Sequence, residues 1–487
     1  MQRRRLLQGA AAAIALGDAA AAAPGAKKVL RIAFPAPESS FDPPQTNSDA
    51  YSSVLISQIL EAPLGYDYLA RPARLVPITA AAMPEAAPDG SSFTLRIKPG
   101  IFFADDPAFQ GRPRELVAQD YVYAIKRFYD PQYNSGDLWV FENQKLPGLS
   151  ELRQKALKDR TPFDYDTEVD GVRALDRYTL RIKLGVPDPR FIYVLAQPSF
   201  TGAVAREVVE FYGKEIGAHP VGTGAFRLKS WRRASRMVFE RSPNYRRALY
   251  EGQPADTPLA REIAAGLAGK PLPLVDEVVV DVVEEAQPRW LSFLNGSYDL
   301  LPVPGAYAPI AVPNGKLAPF LQKKGVKLQT SLQPVMTMSY FFMEDPVVGG
   351  YTPEKVALRR AVGLAFDGET YIRHVQGGMA IPAQSTIAPH TSGYDPAYKS
   401  EMSEHSLARA KALLDLHGYV DRNGDGWREL PDGQPLQLRM ASMSTQSDRL
   451  ASELWKRSMD KLGVRIVFEI STWPELLKKT RAGTLQM

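Results

Sequence analysis

The stretch from His219 to Tyr245 constrains the fold more than any other part of the chain. Phe226 and Leu228 alternate with Arg227 and Lys229, the period of a half-buried strand. Arg232-Arg233-Ala234-Ser235 turns the chain, and Met237 and Phe239 then resume the alternation against Val238 and Glu240. Pro243 stops it, because proline has no N–H to donate to a ladder. Gly222 and Gly224, ahead of the first strand, predict backbone angles that residues with a Cβ avoid. Taken alone, these residues predict a hairpin and nothing more.

Alternation predicts further strands over residues 30–34, 93–97, 178–184, 436–440 and 464–470, and a short apolar one over 340–343. The β-branched run 275–283 predicts a buried strand. Helical spacing places Val122, Ile125 and Phe128 on one face of a helix over 118–128, and Leu358, Val362, Ala365 and Phe366 on another. Helices are also predicted over 54–60, 191–195 and 288–295, over 403–417 ahead of Gly418, and over 451–462 ahead of Gly463. A helix followed directly by a strand at 451–470 suggests a βαβ-type layer. Residues 132–175 predict an irregular surface insertion and 246–270 a loop, and the proline-rich 301–319 predicts a crossing between domains.

The chain of 487 residues is 45% hydrophobic and 23% charged, long enough for two or three cores. It has no cysteine, which excludes disulfides, thiolate metal sites, a cysteine nucleophile and a lipid-modified N-terminal cysteine. Residues 1–23 predict an export signal. Arg3, Arg4 and Arg5 precede a short apolar run from Leu6 to Leu16, and small residues follow at 19–23. The segment resembles a twin-arginine signal with Arg3 and Arg4 as the pair. Losing three arginines and one aspartate with it lowers the formal charge from +5 to +3, and no long basic run argues for nucleic acid.

Pro220-Val-Gly-Thr-Gly-Ala-Phe-Arg-Leu-Lys-Ser-Trp231, followed by Phe239-Glu-Arg-Ser-Pro-Asn-Tyr245, resembles the signature of family 5 extracellular solute-binding proteins. Phe41-Asp42-Pro43, the Asp89-Gly90 turn with Ile101-Phe102-Phe103, and Leu358–Asp367 are similar to further segments of that family. These proteins are the peptide-, nickel- and related solute-binding subunits of ABC importers. The resemblance implies an α/β (mixed α+β) fold of the bilobal periplasmic-binding-protein type with an extra domain. Its parts are lobe I over 28–58 and 175–303, the extra domain over 59–174, and an incomplete lobe III over 304–487. It also implies C-terminal truncation, with the family's ligand aspartate falling just past Met487. The implied function is capture of a short peptide in the periplasm by hinge closure. The protein would act as a monomer with the membrane subunits of an ABC importer, without a cofactor. A nickel complex, haem or an oligosaccharide in the same fold stays open as ligand, as do a periplasmic hydrolase and a peptide-holding chaperone as other classes.

The resemblance also implies ligand-binding residues. Asn47, Ser48 and Asp49 would form a ligand-facing loop, against an ordinary polar turn. Tyr340 and Phe341 would line the cleft, against a plain core strand. Trp473 matches a pocket tryptophan, against core packing. Trp139 lies near a second-domain aromatic of the family, and surface insertion is the stronger reading there. Arg481 stands one place beyond a ligand arginine of some relatives, and Thr480 occupies that place itself. Asp421, Asn423, Asp425 and Asp432, with Gly426 between, have the spacing of a calcium loop, although a strand and not a helix follows. The five histidines show no metal-ligand spacing. Ser458-Met-Asp-Lys461 lacks the companion motifs of penicillin-interacting enzymes, and no Gly-x-Ser-x-Gly is present. No catalytic residue is predicted.

Overall fold

The computed structural model describes residues 27–46, 48–389, 391 and 393–487. The export signal, Asn47 and His390 lie outside the described residues.

The predicted hairpin is present as Phe226–Arg232 and Arg236–Arg241, antiparallel, with an irregularity between Leu228 and Ser230. It occupies one side of a four-stranded sheet. Arg236–Arg241 pairs antiparallel with Glu277–Val282, which pairs parallel with Val29–Phe34. Met237, Phe239 and Val280 are buried on one face. Phe41 packs edge-on against Trp231, at 5.1 Å between ring centres, and against Phe239 at 6.0 Å. Such aromatic contacts add to the area each ring buries.

Gly222 and Gly224 are needed for a reason other than the one the sequence suggests. Neither lies in the left-handed region. Instead a Cβ on either would collide with the carbonyl of Ile59, at the end of helix Ala50–Ile59. The Gly224 amide donates to that same carbonyl at 2.8 Å. The two glycines therefore let the hairpin entry pass directly under a helix end and satisfy one of its free carbonyls.

A second four-stranded sheet is ordered Glu85–Ala86, Ser92–Arg96, Thr179–Lys183, Val172–Ala174. Helix Ala118–Tyr129 covers it and buries Tyr121, Val122, Ile125 and Phe128. One continuous core, from Phe41 to Val280, runs through both sheets. Residues 132–175 are more ordered than predicted. Helices Trp139–Glu142 and Leu149–Asp159 form there, and Phe141 and Leu149 reach the core. Helix Pro258–Leu267 interrupts the predicted loop 246–270, capped by the Thr257 hydroxyl on the Ala260 amide.

A separate core, from Val348 to Met487, holds helices Pro353–Ala365, Leu407–Leu416 and Gln446–Leu462. Strands Gln437–Ser442 and Arg465–Ile470 pair parallel, with Gln446–Leu462 as the crossover. This is the βαβ layer that the order of elements suggests. Gly463 closes the helix in the left-handed conformation. The predicted strand 340–343 is not formed. Phe342 gives one backbone hydrogen bond, to Gln486, and a single bond makes no ladder. A third, small cluster of Trp290, Ala311, Val312, Ala318 and Leu321 lies along the chain between the two larger cores. Among the described residues no helix is long and apolar enough to cross a membrane.

Candidate functional site

The predicted site residues fall into two groups. The first follows strand Val29–Phe34. Phe41 is buried and anchors the loop, and Pro43 opens a short 3₁₀ turn, Pro43–Gln45. The fork of Arg127, from helix Ala118–Tyr129, holds the Asp42 carboxylate. Burial pulls the Arg127 guanidinium down, but the Asp42 charge and hydrogen bonds outweigh it, leaving it above the usual arginine range.

Asp137, wholly buried, accepts from the Ser48 amide at 2.7 Å and from the Ser48 hydroxyl. It also accepts from the Thr46 hydroxyl at 3.4 Å. Ser48 has φ +56, a conformation that non-glycine residues adopt only when surroundings hold them there. Asp49 caps helix Ala50–Ile59 by accepting the Tyr51 and Ser52 amides, and it also takes the Ser39 amide and the Ser52 hydroxyl. Its two oxygens are thus committed to the loop's own architecture. Arg127 and Asp137 were not singled out from the sequence. For Arg127 the available signal was an arginine set among Ile125, Phe128 and Tyr129, on a helix that the structure buries nearly all round.

The second group lies at the far end of the chain. Helix Trp473–Arg481 starts in a capping box, with Glu475 accepting the Thr472 amide and hydroxyl, both at 2.9 Å. The amide and hydroxyl of Thr472 hold the Glu475 carboxyl below its usual range. Trp473 is 52% exposed, so the core-packing alternative does not describe it. Thr480 and Arg481 follow it by seven and eight residues and share its helix face. The Tyr340 hydroxyl meets the Thr480 hydroxyl at 3.3 Å, while Phe341 packs half-buried against the second core. Arg481 is exposed. Trp139 is exposed at the start of its own short helix, two residues beyond Asp137.

Among the described residues no hydrogen bond or ion pair joins the first group to the second. A hollow of about 730 Å³ beside Phe102, Phe109, Arg112 and Asn244 shares no residue with either group. A smaller one of about 240 Å³, lined by Phe342, Asp345, Arg439 and Leu485 among others, adjoins the second.

The calcium-like loop brings Asp421 and Asp425 together with Glu429, which the spacing did not single out. Asp432 instead accepts the Gln434 amide. Asp421 accepts the Gly424 and Gly426 amides at 2.7 and 2.8 Å, and Asp425 pairs with Arg465 at 2.8 Å. Each of these donors takes one acceptor site of its oxygen, and the Arg465 guanidinium supplies positive charge where a cation would.

Comparison with known proteins bears on the whole chain. It is 24% identical to the di/tripeptide-binding protein 2 of Pseudomonas aeruginosa over 96% of its length and 77% of that protein's. It is 25% identical to the periplasmic oligopeptide-binding protein OppA of Escherichia coli, over 76% of its length and 60% of the relative's. It therefore spans between three fifths and about three quarters of these relatives. Its fold matches DppA of Helicobacter pylori, solved with the peptide STSA, at TM-score 0.66 and 20% identity, over 94% of this chain and 77% of that one. It matches OppA of Burkholderia pseudomallei at TM-score 0.68 and 18% identity, over 94% and 78% of the two chains. The family model described as bacterial extracellular solute-binding proteins, family 5 Middle, matches residues 74–487. Match and fold agree, and the chain belongs to the bacterial extracellular solute-binding proteins of family 5.

Proposed function

We propose that this protein is the solute-binding subunit of an ABC importer and captures a short peptide by closing one lobe on the other. The observation that carries the reading is the separation of the two large cores, each with a candidate ligand group of its own. Ligand held between the Ser48–Asp49 loop and the face of Trp473, Tyr340 and Arg481 would gain contacts only in the closed form. Moving from mostly open to mostly closed takes about 5 kcal/mol of differential affinity. Micromolar binding supplies about 8 kcal/mol in total, so closure is within reach. Backbone hydrogen bonds to an extended peptide give affinity with little side-chain selectivity. The names of the relatives support peptide as the solute.

The reading includes export to the periplasm, by the twin-arginine route and without a lipid anchor, and action as a monomer without catalysis or nucleic acid. The domain limits are 28–58 with 175–303, 59–174, and 304–487. Calorimetry of the purified chain with peptides of two to five residues tests the proposal. Micromolar heats for some of them are expected. Absence of binding to all, with tight binding of haem, a nickel complex or an oligosaccharide, overturns the choice of solute. Turnover of the peptides overturns the class.

A further inference from the structure

Of the described arginines two are buried, Arg127 and Arg289, and the fold treats them differently. Arg127 faces a carboxylate with both arms of its fork. Arg289 forms no ion pair among the described residues. Its Nη1 donates to the carbonyls of Val283 at 2.6 Å and Glu284 at 2.5 Å. Its Nε and Nη2 have no acceptor and are not enclosed by protein. The groups that face it are the Tyr51 phenol and the exposed carboxylate of Glu285, beyond ion-pair distance, and burial outweighs both in lowering its proton affinity.

The location gives this arrangement meaning. Strands Val29–Phe34 and Glu277–Val282 run parallel, and their carboxyl ends meet where the Val283 amide donates to the Phe34 carbonyl at 2.9 Å. The chain leaving the second strand enters helix Ala286–Leu294, with Arg289 in its opening turn. The chain leaving the first leads through the 41–49 loop to helix Ala50–Ile59, with Tyr51 second in it and its ring packed at a tilt against Phe34, 4.9 Å between ring centres. Ligands of open α/β sheets bind outside the carboxyl ends of such strands. A cation in the opening turn is opposed by the helix dipole, and its burial without a counter-charge is unfavourable. An anion against the Nε–Nη2 edge relieves both at once.

We propose that Arg289, beside Tyr51, is a carboxylate-binding position that takes the terminal carboxylate of a short peptide. The proposal rests on the peptide reading above. The planar fork suits two parallel hydrogen bonds to a carboxylate, and the Nη1 bonds hold it in place before ligand arrives.

Calorimetry on the full chain uses Ala-Ala-Ala as free acid, its C-terminal amide, and Ala-Glu-Ala amide, against wild type, Arg289→Gln and Arg289→Lys. Wild type is expected to prefer the free acid over both amides by about tenfold or more, as for charge-assisted hydrogen bonds. Arg289→Gln removes that preference and keeps wild-type affinity for the amide, and Arg289→Lys keeps part of the preference. An undiminished preference in Arg289→Gln overturns the proposal. So does equal loss of acid and amide binding, which makes Arg289 only a clamp on residues 283–284. Ala-Glu-Ala amide binding as tightly as the acid overturns the terminal assignment. Wild type that binds none of the three overturns the peptide reading itself.

Discussion

Arg127 and Asp42, 85 residues apart, are joined by two hydrogen bonds, Nη1 to Oδ1 at 2.5 Å and Nη2 to Oδ2 at 2.8 Å. Both side chains are only 1% exposed. The pair ties the helix of one sheet to the loop that leaves the other. Removing one partner leaves a buried charge alone, which costs about 3–5 kcal/mol, whereas replacing both by apolar residues is often neutral. Arg127→Met is therefore expected to lower stability to urea by about that amount, and Arg127→Met with Asp42→Leu to recover most of it. A loss under about 1 kcal/mol for the single variant counts against a buried pair.

Asp137 and Ser48 supply the second tie between the same parts. Asp137→Asn retains one acceptor oxygen but turns an amide NH₂ toward one of the Ser48 donors. A loss of about 1–3 kcal/mol is expected from urea unfolding. Ser48→Gly relieves the left-handed strain at φ +56. It should therefore cost less in the Asp137→Asn background than in wild type, a coupling that a double-mutant cycle reads directly. Strict additivity would separate the strain at Ser48 from its hold by Asp137.

These two ties show what could and could not be read from the residues. The hairpin and the βαβ unit were legible because alternation and helical spacing are local. The part played by Gly222 and Gly224 was not, because their neighbour is the end of a helix more than 160 residues earlier. The same limit hid Arg127 and Asp137, whose partners come from the 41–49 loop, some 85 to 91 residues away. Residues 340–343 look like a strand by composition, but a strand needs a ladder, and composition does not supply the neighbour. Helix Pro258–Leu267 was legible in principle, since Thr257-Pro258 is a good helix start. Leu259, Ile263 and Leu267 also recur on one helix face, so the local pattern was there to be read although the structure buries little of it. In the site, the sequence leaves Trp473 two possible environments, core or cleft, and only packing shows that it is exposed.

Asp120 gives a pH dependence of unusual sign. Burial raises its carboxyl to about 6, against the opposing pull of Arg114 and of the Val117 amide. With a folded value above the unfolded 3.8, the folded state binds the proton more tightly between the two. The stabilising contribution is thus full below about 4 and is lost as pH rises through about 6. It amounts to at most about 3 kcal/mol. Asp120→Asn should flatten the fall in stability across this interval relative to wild type, as measured by urea midpoints at pH 4 and pH 7. An unchanged difference between the two midpoints contradicts the raised value.

The Asp421 loop should be indifferent to calcium. Arg465 already neutralises Asp425, and a backbone amide already engages each Asp421 oxygen. A site of about 1 mM affinity, common in extracellular modules, would add about 1.4 kcal/mol at about 10 mM calcium. The expected result is no shift in melting temperature between 10 mM calcium and chelator, both at roughly matched ionic strength. A rise of several degrees sinks this reading and places an ion among Asp421, Asp425 and Glu429.

Trp473 separates stability from binding. The residue is 52% exposed at the start of a helix whose first turn is fixed by Thr472 and Glu475. A surface residue of this kind contributes little to folding, so Trp473→Ala should leave stability within about 0.5 kcal/mol of wild type. An aromatic that becomes covered on ligand closure contributes far more, and aromatic anchors typically cost about 2 kcal/mol or more when truncated. Trp473→Ala is therefore expected to weaken binding of a short peptide by about thirtyfold, with Trp473→Phe retaining most of the affinity. Since Tyr340 reaches Thr480 on the helix of Trp473, Thr480→Val should act in the same direction but more weakly, through the loss of one exposed hydrogen bond. Equal peptide affinity in wild type and Trp473→Ala, with both folded, would remove this helix face from the binding site and leave the first lobe as the main point of ligand contact.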